Sequence, residues 1–336
     1  MGSSYSRPRE IPSRHFGAFE AALPSLAGKV IVLTGTTTGT GFVAARTCAR
    51  KGAHVVLLNR ASPRATAAEA AIAAEAAPGA RVESVACDLA SFASVRAAAA
   101  LLAAKFGEGG IDVLVNNAGV MALADEATVD GYDVQMQTNH LSHFLLAREL
   151  HPALATAARL RGEARVVSHS SGARAFPSSP LGAKYLGRNG GRLGGNGASM
   201  FLGGARWVRY HQTKLANAVF TLALADRCGG SGVKALCAAP GLAATNLQVT
   251  TAAAGGMGAT WIMRFAQSAE DGTMPLLTAV AAPGVANGAF WEPAGMTGPA
   301  VQKPLAAEAL SGDPAARALL WAESEKAVGP WPLAAA

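Results

Sequence analysis

Tyr210 and Lys214 are the two side chains in this sequence best suited to move a proton together. Residues 207–227 carry apolar positions at helical spacing, so two residues four apart lie on the same helical face. An ammonium group near a phenol favours the phenolate, and we therefore expect Lys214 to lower the pKa of Tyr210 from about 10 toward working pH. Tyr210 would then act as a general acid or base. A surface pair on an amphipathic helix has the same spacing, so the interpretation depends on the residues upstream.

A glycine-rich turn lies upstream, between a predicted strand at residues 29–34 and a predicted helix at residues 41–51. Glycines in such a turn let the backbone approach a pyrophosphate at the amino terminus of a helix. The spacing is G-x-x-x-G-x-G rather than the commoner G-x-G-x-x-G, and a structural tight turn is the alternative. The flanking strand and helix favour a dinucleotide site, which would be formed by Gly35, Thr37, Thr38, Gly39, Thr40 and Gly41.

The end of the second predicted strand, residues 54–59, indicates which dinucleotide binds. NAD-specific proteins place an Asp or Glu there for the ribose 2′-hydroxyl, whereas this sequence has Asn59 and Arg60. An arginine can pair with a 2′-phosphate, so we predict NADP(H) in preference to NAD(H); a solvated Arg60 is the alternative. Asp88 and Leu89 follow the third predicted strand. There Asp88 would bond the adenine amino group or cap the next helix.

These residues must be positioned by an alternating series of strands and helices. The pattern predicts strands at residues 29–34, 54–59, 81–87, 111–116, 165–170 and 233–238. Helices are predicted between them at residues 41–51, 63–77, 91–106, 129–154 and 207–227, with a weaker helix at 270–282 and a strand at 288–291. Right-handed crossovers turn such a series into a parallel sheet that binds ligands at its carboxyl edge. We predict an α/β protein with a single Rossmann-type, doubly wound parallel sheet and helices on both faces.

The remaining segments define the expected domain limits. Residues 1–27 are polar and contain prolines, and are expected to be a flexible arm before a single domain at residues 28–310. Residues 311–336 are expected to be a C-terminal tail. The domain contains a glycine-rich insert at residues 174–206, which is too long for an ordinary connection. We expect this insert to fold over the substrate cleft.

The ordered motifs resemble the short-chain dehydrogenase/reductase family over nearly all of residues 28–304. They are Thr34-Gly35-x-x-x-Gly39-x-Gly41, Asn116-Asn117-Ala118-Gly119, Asn139, Ser171, Tyr210-x-x-x-Lys214 and Pro240-Gly241. Within the family, Thr138-Asn139-His140-Leu141-Ser142-His143 and Lys214-Leu215-Ala216-Asn217 resemble the retinol-dehydrogenase-like branch, which has protochlorophyllide oxidoreductases as relatives. Helices that carry the tyrosine often pair between subunits in relatives, which implies a homodimer by analogy.

The resemblance implies a role for each site residue. Tyr210 would exchange the proton, Lys214 would bond the nicotinamide ribose, and Ser171 would hold the substrate oxygen; Ser168 and Ser170 are competing assignments for the serine. Asn139 would anchor a water molecule connected to Lys214, or be a helix-interior residue bonded to backbone. Asn116 is interpreted as a brace of the sheet. Further cofactor contacts are implied for Asn117, Ala118, Gly119, Pro240, Gly241 and Thr245.

Two departures from the family pattern stand out. Thr40 occupies a position in the glycine turn that is usually a branched apolar residue, and Tyr210 lies 39 residues beyond Ser171. The sequence therefore predicts an NADP(H)-dependent oxidoreductase that interconverts a carbonyl and an alcohol on a small apolar substrate, such as a retinoid, steroid or lipid-like aldehyde or ketone. A carbon–carbon double-bond reductase of the protochlorophyllide type, or a non-catalytic dinucleotide-binding scaffold, are the alternatives.

Composition excludes several other classes of site. The four cysteines have no paired spacing, which indicates neither a zinc site nor a disulfide framework. His140 and His143 are three residues apart, but no third ligand is evident, so we predict no metal and interpret them as packing or hydrogen-bonding residues. The formal charge of +7 is scattered along the chain with few aromatic residues. A nucleic-acid partner is therefore not expected.

The amino terminus bears on location. Neither a signal-peptide core nor a run of about 18 apolar residues is present, so we expect a cytoplasmic protein. The first six residues fit the N-myristoylation pattern, with Gly2 exposed after removal of Met1 and Ser6 in the required place. A chance match is the alternative. One acyl chain would give only reversible membrane association.

Overall fold

The chain is organised around an eight-stranded sheet, seen in a computed structural model that describes residues 11–199, 203–244 and 264–332. The strands in chain order are β1 (Val30–Thr34), β2 (His54–Asn59), β3 (Arg81–Ala86), β4 (Val113–Asn116), β5 (Ala164–His169), β6 (Val233–Ala238), β7 (Phe290–Pro293) and β8 (Ala300–Lys303). Their spatial order is β3-β2-β1-β4-β5-β6-β7-β8. The first seven are parallel and β8 is antiparallel to β7.

The central strands are short apolar runs because both faces of the sheet are covered. In β1, Ile31 pairs with Val55 of β2 on one side and with Val113 of β4 on the other. The strand order therefore reverses at β1, and a crevice opens between the carboxyl ends of β1 and β4. The turns that follow these two strands, at Gly35 and Asn117, meet there.

Helices cover both faces of the sheet. They are α1 (Phe16–Ala22), α2 (Gly39–Arg50), α3 (Pro63–Ala74), α4 (Phe92–Phe106), α5 (Val134–Met136), α6 (Ser142–Arg161), α7 (Ala183–Leu186), α8 (Ala205–Cys228), α9 (Ala269–Ala281) and α10 (Pro314–Val328). One apolar core lies between the sheet and α4, α6, α8 and α10, and a second lies between the sheet and α1, α2 and α9. The predicted fold class is confirmed.

The two ends of the described chain are folded: the predicted arm at residues 1–27 contains α1, and the predicted C-terminal tail at residues 311–336 contains α10. Helix α1 is fixed by the Asp271 carboxylate, which accepts bonds from Ser13 Oγ and three backbone N–H groups, including that of Phe16. At the other end, the Trp321 ring of α10 packs against Phe144 and Phe220. The predicted myristoylation site, Gly2 with Ser6, lies outside the described residues.

The described part of the glycine-rich insert, residues 174–199 and 203–206, packs mainly away from the cleft, contrary to the prediction. Its apolar residues Leu181, Tyr185 and Leu186 are buried in the core beside α10. Among the insert residues that the structure describes, Phe176 alone lines the cleft described below. The apolar side chains of the insert pack in the outer helical layer, where they are removed from water.

Two further features concern association. Helix α10 packs along α8, so a homodimer formed through that face of α8 would have to displace it. Within residues 11–199, 203–244 and 264–332, each helix is too short or too polar to cross a membrane.

Candidate active site

A cleft of about 1590 Å³ runs along the carboxyl edge of the sheet. Its dinucleotide half is lined by the turns after β1, β2, β3 and β4. Its substrate half lies around Tyr210, which packs in a buried cluster with Met121, Ala122, Ala173 and Trp207. Every predicted cofactor residue lines the cleft except Thr245, which lies outside the described residues.

Two glycines of the turn after β1 have no room for a side chain. Gly35 has φ +71°, and a Cβ there would lie 2.7 Å from Ala118 Cα. A Cβ on Gly41 would lie 2.2 Å from the Gly35 carbonyl oxygen and 2.3 Å from Asn117 Nδ2. The turn is therefore packed backbone to backbone against the turn after β4. Helix α2 begins here and its N-cap, Thr38, makes no side-chain cap, which leaves N–H groups free to bind an anion.

The residues after β2 include a cofactor candidate that the sequence interpretation missed. Arg60 lines the cleft and is exposed, and Arg64 lines it too. Arg64 is brought there because α3 starts with Pro63 after the N-cap Ser62, a start signal that was readable in the sequence. The Asn59 amide faces the glycine turn instead, bonding Thr36 N at 2.9 Å and Thr36 Oγ1 at 2.7 Å.

Asp88 and Leu89 line the same end of the cleft. One of the two readings of Asp88 is corrected, because Ser91 and not Asp88 is the N-cap of α4. The Asp88 carboxylate accepts a bond from the N–H of Ala90 at 2.9 Å, which closes a local turn. Asp88 also lines the cleft, and its bond to the adenine amino group stays a prediction.

The residue that braces the sheet is Asn117, whereas the sequence interpretation assigns this role to Asn116. The Asn117 amide nitrogen donates to the carbonyls of Thr34 and Gly35 at 2.9 and 3.1 Å. Its Oδ1 accepts from Thr40 Oγ1 at 3.2 Å and from His169 Nδ1 at 2.8 Å. The Asn116 amide is buried, and neither its oxygen nor its nitrogen has a hydrogen-bond partner among the described residues.

This network explains the threonine at position 40. Thr40 and His169 both bond Asn117 Oδ1, and the amide nitrogen of Asn117 is already donating, so His169 Nδ1 must be the donor. Burial, reinforced by the Lys214 ammonium, lowers the pKa of His169 to about 3, so the ring is neutral. His169 was not singled out from the sequence, because its partner is 52 residues away.

The catalytic candidates meet at the boundary of the two halves. Tyr210 is 5% exposed and lines the cleft together with Ser171, whose hydroxyl favours the ionised form of the phenol. Lys214 Nζ lies 5.8 Å from the Tyr210 ring centre and donates to the carbonyl of His169 at 3.1 Å. Ser171 follows β5 at the sheet edge and lines the cleft, whereas Ser170 Oγ is engaged with the carbonyl of Lys214 at 2.7 Å.

The expected effect of Lys214 on Tyr210 is contradicted. Burial raises the pKa of Tyr210 to about 12, and the Ser171 hydroxyl opposes this only in part. Burial also lowers the pKa of Lys214 to about 8. Desolvation therefore dominates the pKa of both groups, which helical spacing alone could not reveal.

Asn139 lies in a π-helical turn, Gln137–Leu141, between α5 and α6. Its side chain bonds the Val120 backbone, accepting from N at 2.8 Å and donating to O at 2.9 Å, and it donates to Thr213 Oγ1 at 2.9 Å. The backbone-bonded alternative is therefore the one observed for this side chain. Gly119 leaves room beside it, since a Cβ there would lie 3.3 Å from Asn139 Oδ1 and 3.5 Å from Lys214 Nζ.

His140 and His143 lie in the core. The His143 ring bonds Thr34 Oγ1 at 2.9 Å, and the His140 ring bonds Ser324 Oγ at 3.0 Å and packs against Phe220. Burial lowers both pKa values, to about 4 for His143 and about 3 for His140. No group of three or more metal-binding side chains occurs in the part of the chain that the structure describes.

The far side of the cleft is formed after β6 and β7. Pro240 and Gly241 line it, as predicted from the resemblance. Gly241 has φ +63°, and a Cβ there would lie 2.5 Å from the Met296 carbonyl oxygen. The close approach of these two segments therefore requires glycine at position 241.

Comparison with known proteins agrees with this geometry. The family model described as short chain dehydrogenase matches residues 29–186. An uncharacterized oxidoreductase of Schizosaccharomyces pombe is 37% identical over 227 residues, which are 67% of this chain and 63% of that protein. Retinol dehydrogenase 12 of Bos taurus is 35% identical over 226 residues, or 66% of this chain and 64% of that protein. The matched region spans just under two thirds of the length of both relatives.

Solved structures show the same fold. An uncharacterized protein from Mycobacterium paratuberculosis superposes with a TM-score of 0.70 at 32% identity, over 94% of this chain and 98% of that one. A protein described as an NAD(P)-dependent gluconate 5-dehydrogenase from Beutenbergia cavernae, with NADP bound at low occupancy, gives a TM-score of 0.54 at 26% identity over 76% and 90% of the two chains.

Proposed function

Since the chain belongs to the short-chain dehydrogenase/reductase family, in its retinol-dehydrogenase-like branch, we propose that it is an NADP(H)-dependent enzyme that interconverts a carbonyl and an alcohol on a small apolar substrate. The observation that carries the proposal is that Tyr210, Ser171 and Lys214 line the same cleft as the glycine turn. A proton donor and a dinucleotide site must share one cleft for such a reaction.

The residues present fit a dinucleotide. The closely packed Gly35 and Gly41 keep the cradle open at the uncapped start of α2, and Arg60 and Arg64 offer positive charge where a 2′-phosphate would lie. When bound, NADPH supplies the hydride. The NADP in the Beutenbergia structure supports a nicotinamide dinucleotide as the cofactor here.

The chain's own residues supply the proton and the orientation. Tyr210 keeps its proton at neutral pH because burial raises its pKa to about 12. The phenol can therefore donate to the oxygen of a carbonyl substrate, while Ser171 holds that oxygen by a second hydrogen bond. A protonated Tyr210 suits the reduction of a carbonyl to an alcohol. Lys214 would bond the nicotinamide ribose on the side of the site where Tyr210 lies.

An uncharged, apolar substrate is favoured by the lining of the substrate half. Met121, Leu123 and Trp207 present apolar surface. Burial lowers the pKa of His211 to about 4, so this ring is neutral at pH 7. The Glu292 carboxylate also lines the cleft, but it is paired with Arg174 at 2.8 Å. A retinoid, steroid or lipid-like aldehyde or ketone matches this surface.

Location and assembly follow as lesser proposals. We propose a cytoplasmic enzyme that associates reversibly with membranes through a myristoyl group on Gly2, and a homodimer that does not use the face of α8 covered by α10. Labelling with a myristate analogue, with Gly2→Ala as control, and sedimentation of the purified protein test the two proposals.

The direct test begins with titration of NADPH and NADH by nicotinamide fluorescence, followed by a panel of retinoid and steroid carbonyls. Tyr210→Phe should lower turnover by about 10²–10⁴-fold, because the proton donor is lost, while NADPH binding stays unchanged. Tyr185→Phe is the matched control, since Tyr185 is buried beside α10 and does not line the cleft. Full turnover in Tyr210→Phe would refute the mechanism, and failure to bind either nucleotide would favour the scaffold alternative.

A further inference from the structure

We propose that Arg209 is a positioning residue that fixes the apolar wall of the substrate half, and that the glycine-rich insert exists to hold this wall from outside. The wall segment is defined as residues 121–134, of which Met121, Leu123 and Val134 line the cleft. The inference rests on the proposed function for its activity readouts, and on structure alone for the others.

Arg209 joins three parts of the chain at one buried point. It directly precedes Tyr210 on α8, and its side chain is 1% exposed. Its Nη2 donates to the Leu123 carbonyl of the wall segment at 3.2 Å, and its Nη1 donates to the Gly195 carbonyl of the insert at 2.9 Å. The guanidinium fork can reach both because its donors point in fixed, separate directions.

Two buried carboxylates of the wall segment face this cation. Asp133 Oδ2 lies 3.2 Å from Arg209 Nε, and Asp125 Oδ2 lies 3.7 Å from Nη1. The other oxygen of Asp133 caps α5, so the ion pair also fixes the start of the helix that carries Val134. Burying a charge costs least when an opposite charge lies beside it, so Arg209 and the two carboxylates depend on one another.

Asp125 ties the insert to the same point. Its carboxylate accepts bonds from three insert N–H groups, those of Gly191 at 2.9 Å, Leu193 at 2.7 Å and Gly195 at 3.0 Å. The Asp125 N–H in turn donates to Asn196 Oδ1 at 2.7 Å. The insert is therefore bonded to the wall segment at Asp125, which does not line the cleft.

The wall segment needs these contacts because its backbone is strained at one residue. Ala122, between the two wall residues Met121 and Leu123, has φ +50°, the only non-glycine residue with positive φ in the ranges that the structure describes. A left-handed alanine persists only where its surroundings hold it. Asn139 holds the segment before it through Val120, and Arg209 holds the segment after it through Leu123.

The experiment compares Asp125→Asn, Arg209→Lys and the double variant in NADPH-saturated enzyme. Each single change should raise the substrate KM by about tenfold or more, because a displaced wall no longer orients the substrate, while the NADPH Kd stays within about twofold. A lysine in place of Arg209 could not reach both carbonyls, and the double variant should show less than the product of the single effects, since the linked residues act as one unit. Arg192→Ala, an exposed insert residue, is the matched control and should change neither constant.

Hydrogen exchange gives a readout that does not depend on turnover. The amides of residues 121–134 and 190–196 should lose protection together in Asp125→Asn and in Arg209→Lys, with the glycine turn unaffected. Independent loss in the two segments, or a KM unchanged in both variants, would overturn the positioning role. If wild-type enzyme turned over no carbonyl, the proposed function would fail, and coupled exchange would still decide the inference about the wall.

Discussion

The two halves of the cleft are held together by different means. In the dinucleotide half, two turns pack tightly: Gly41 lies against the Gly35 carbonyl and the Asn117 side chain, with no space for a methyl group. In the substrate half, buried charged side chains from distant segments meet, as Arg209 does with Asp125. The first half is constrained by excluded volume and by the uncharged hydrogen bonds of Asn117, and the second by buried charge.

Because of this difference, the dinucleotide half leaves a motif in the sequence and the substrate half does not. A close backbone approach demands glycine at fixed positions along a short stretch of chain, so it leaves a local pattern. A buried ion pair demands only complementary partners, which lie 84 residues apart in the case of Asp125 and Arg209. The dinucleotide half should therefore fail as a unit when one glycine is changed, and its charged rim should fail gradually.

The largest expected effect comes from closing the backbone contact of the dinucleotide half. Gly41→Ala places a Cβ 2.2 Å from the Gly35 carbonyl oxygen and should weaken NADPH binding by about 100-fold or more, with a loss of stability of about 1–3 kcal/mol. Fluorescence titration and thermal unfolding measure the two effects. Gly17→Ala, in α1 with nothing within 4 Å of the new Cβ, is the control. Wild-type affinity in Gly41→Ala would show that the two turns move apart readily.

A smaller effect is expected at the charged rim of the same half. Arg60→Ala and Arg64→Ala should each weaken NADPH binding by about tenfold, because each removes a charge-assisted bond to the 2′-phosphate, with NADH binding unchanged. Isothermal titration at low and high salt measures this, and the difference should shrink as salt rises. Arg81→Ala, exposed at the opposite end of β3, is the control. Equal losses for NADPH and NADH would reassign both arginines to the pyrophosphate or to solvent.

The smallest effect is expected at the boundary, where Lys214 serves both halves. Because burial lowers its pKa to about 8, the free enzyme loses the ammonium above that pH. A cofactor that bonds the ammonium should therefore bind more weakly as pH rises through 8, by less than about tenfold in total, because one charged contact among many is lost. Lys214→Arg keeps its charge over this range and should show no inflection. An NADPH Kd that is flat from about pH 6.5 to about pH 9.5 in the wild type would remove Lys214 from the cofactor contacts.

Much of the fold could be predicted because short stretches of the sequence carry the signals for its strands and helices. The apolar runs that form β1, β2 and β6 were located to within a residue, and Ser62-Pro63 marks the start of α3. The ends of the chain were not predicted, because α1 and α10 are stabilised by contacts with Asp271 and with Phe144 rather than by their own periodicity. Local signals do not record such partners.

For the candidate site, most of the residues that reach the cleft could be predicted from the sequence. The glycine turn, the Asn-Asn-Ala-Gly turn and Ser171 follow strands at the carboxyl edge of the sheet, where helix α8 also places Tyr210 and Lys214. The protonation states and the substrate wall arise only from tertiary packing. The pKa of Tyr210 depends on how much water is excluded around it, and the wall depends on Arg209 meeting two carboxylates in the interior. Desolvation and buried pairing are properties of the packed molecule, and no stretch of sequence contains them.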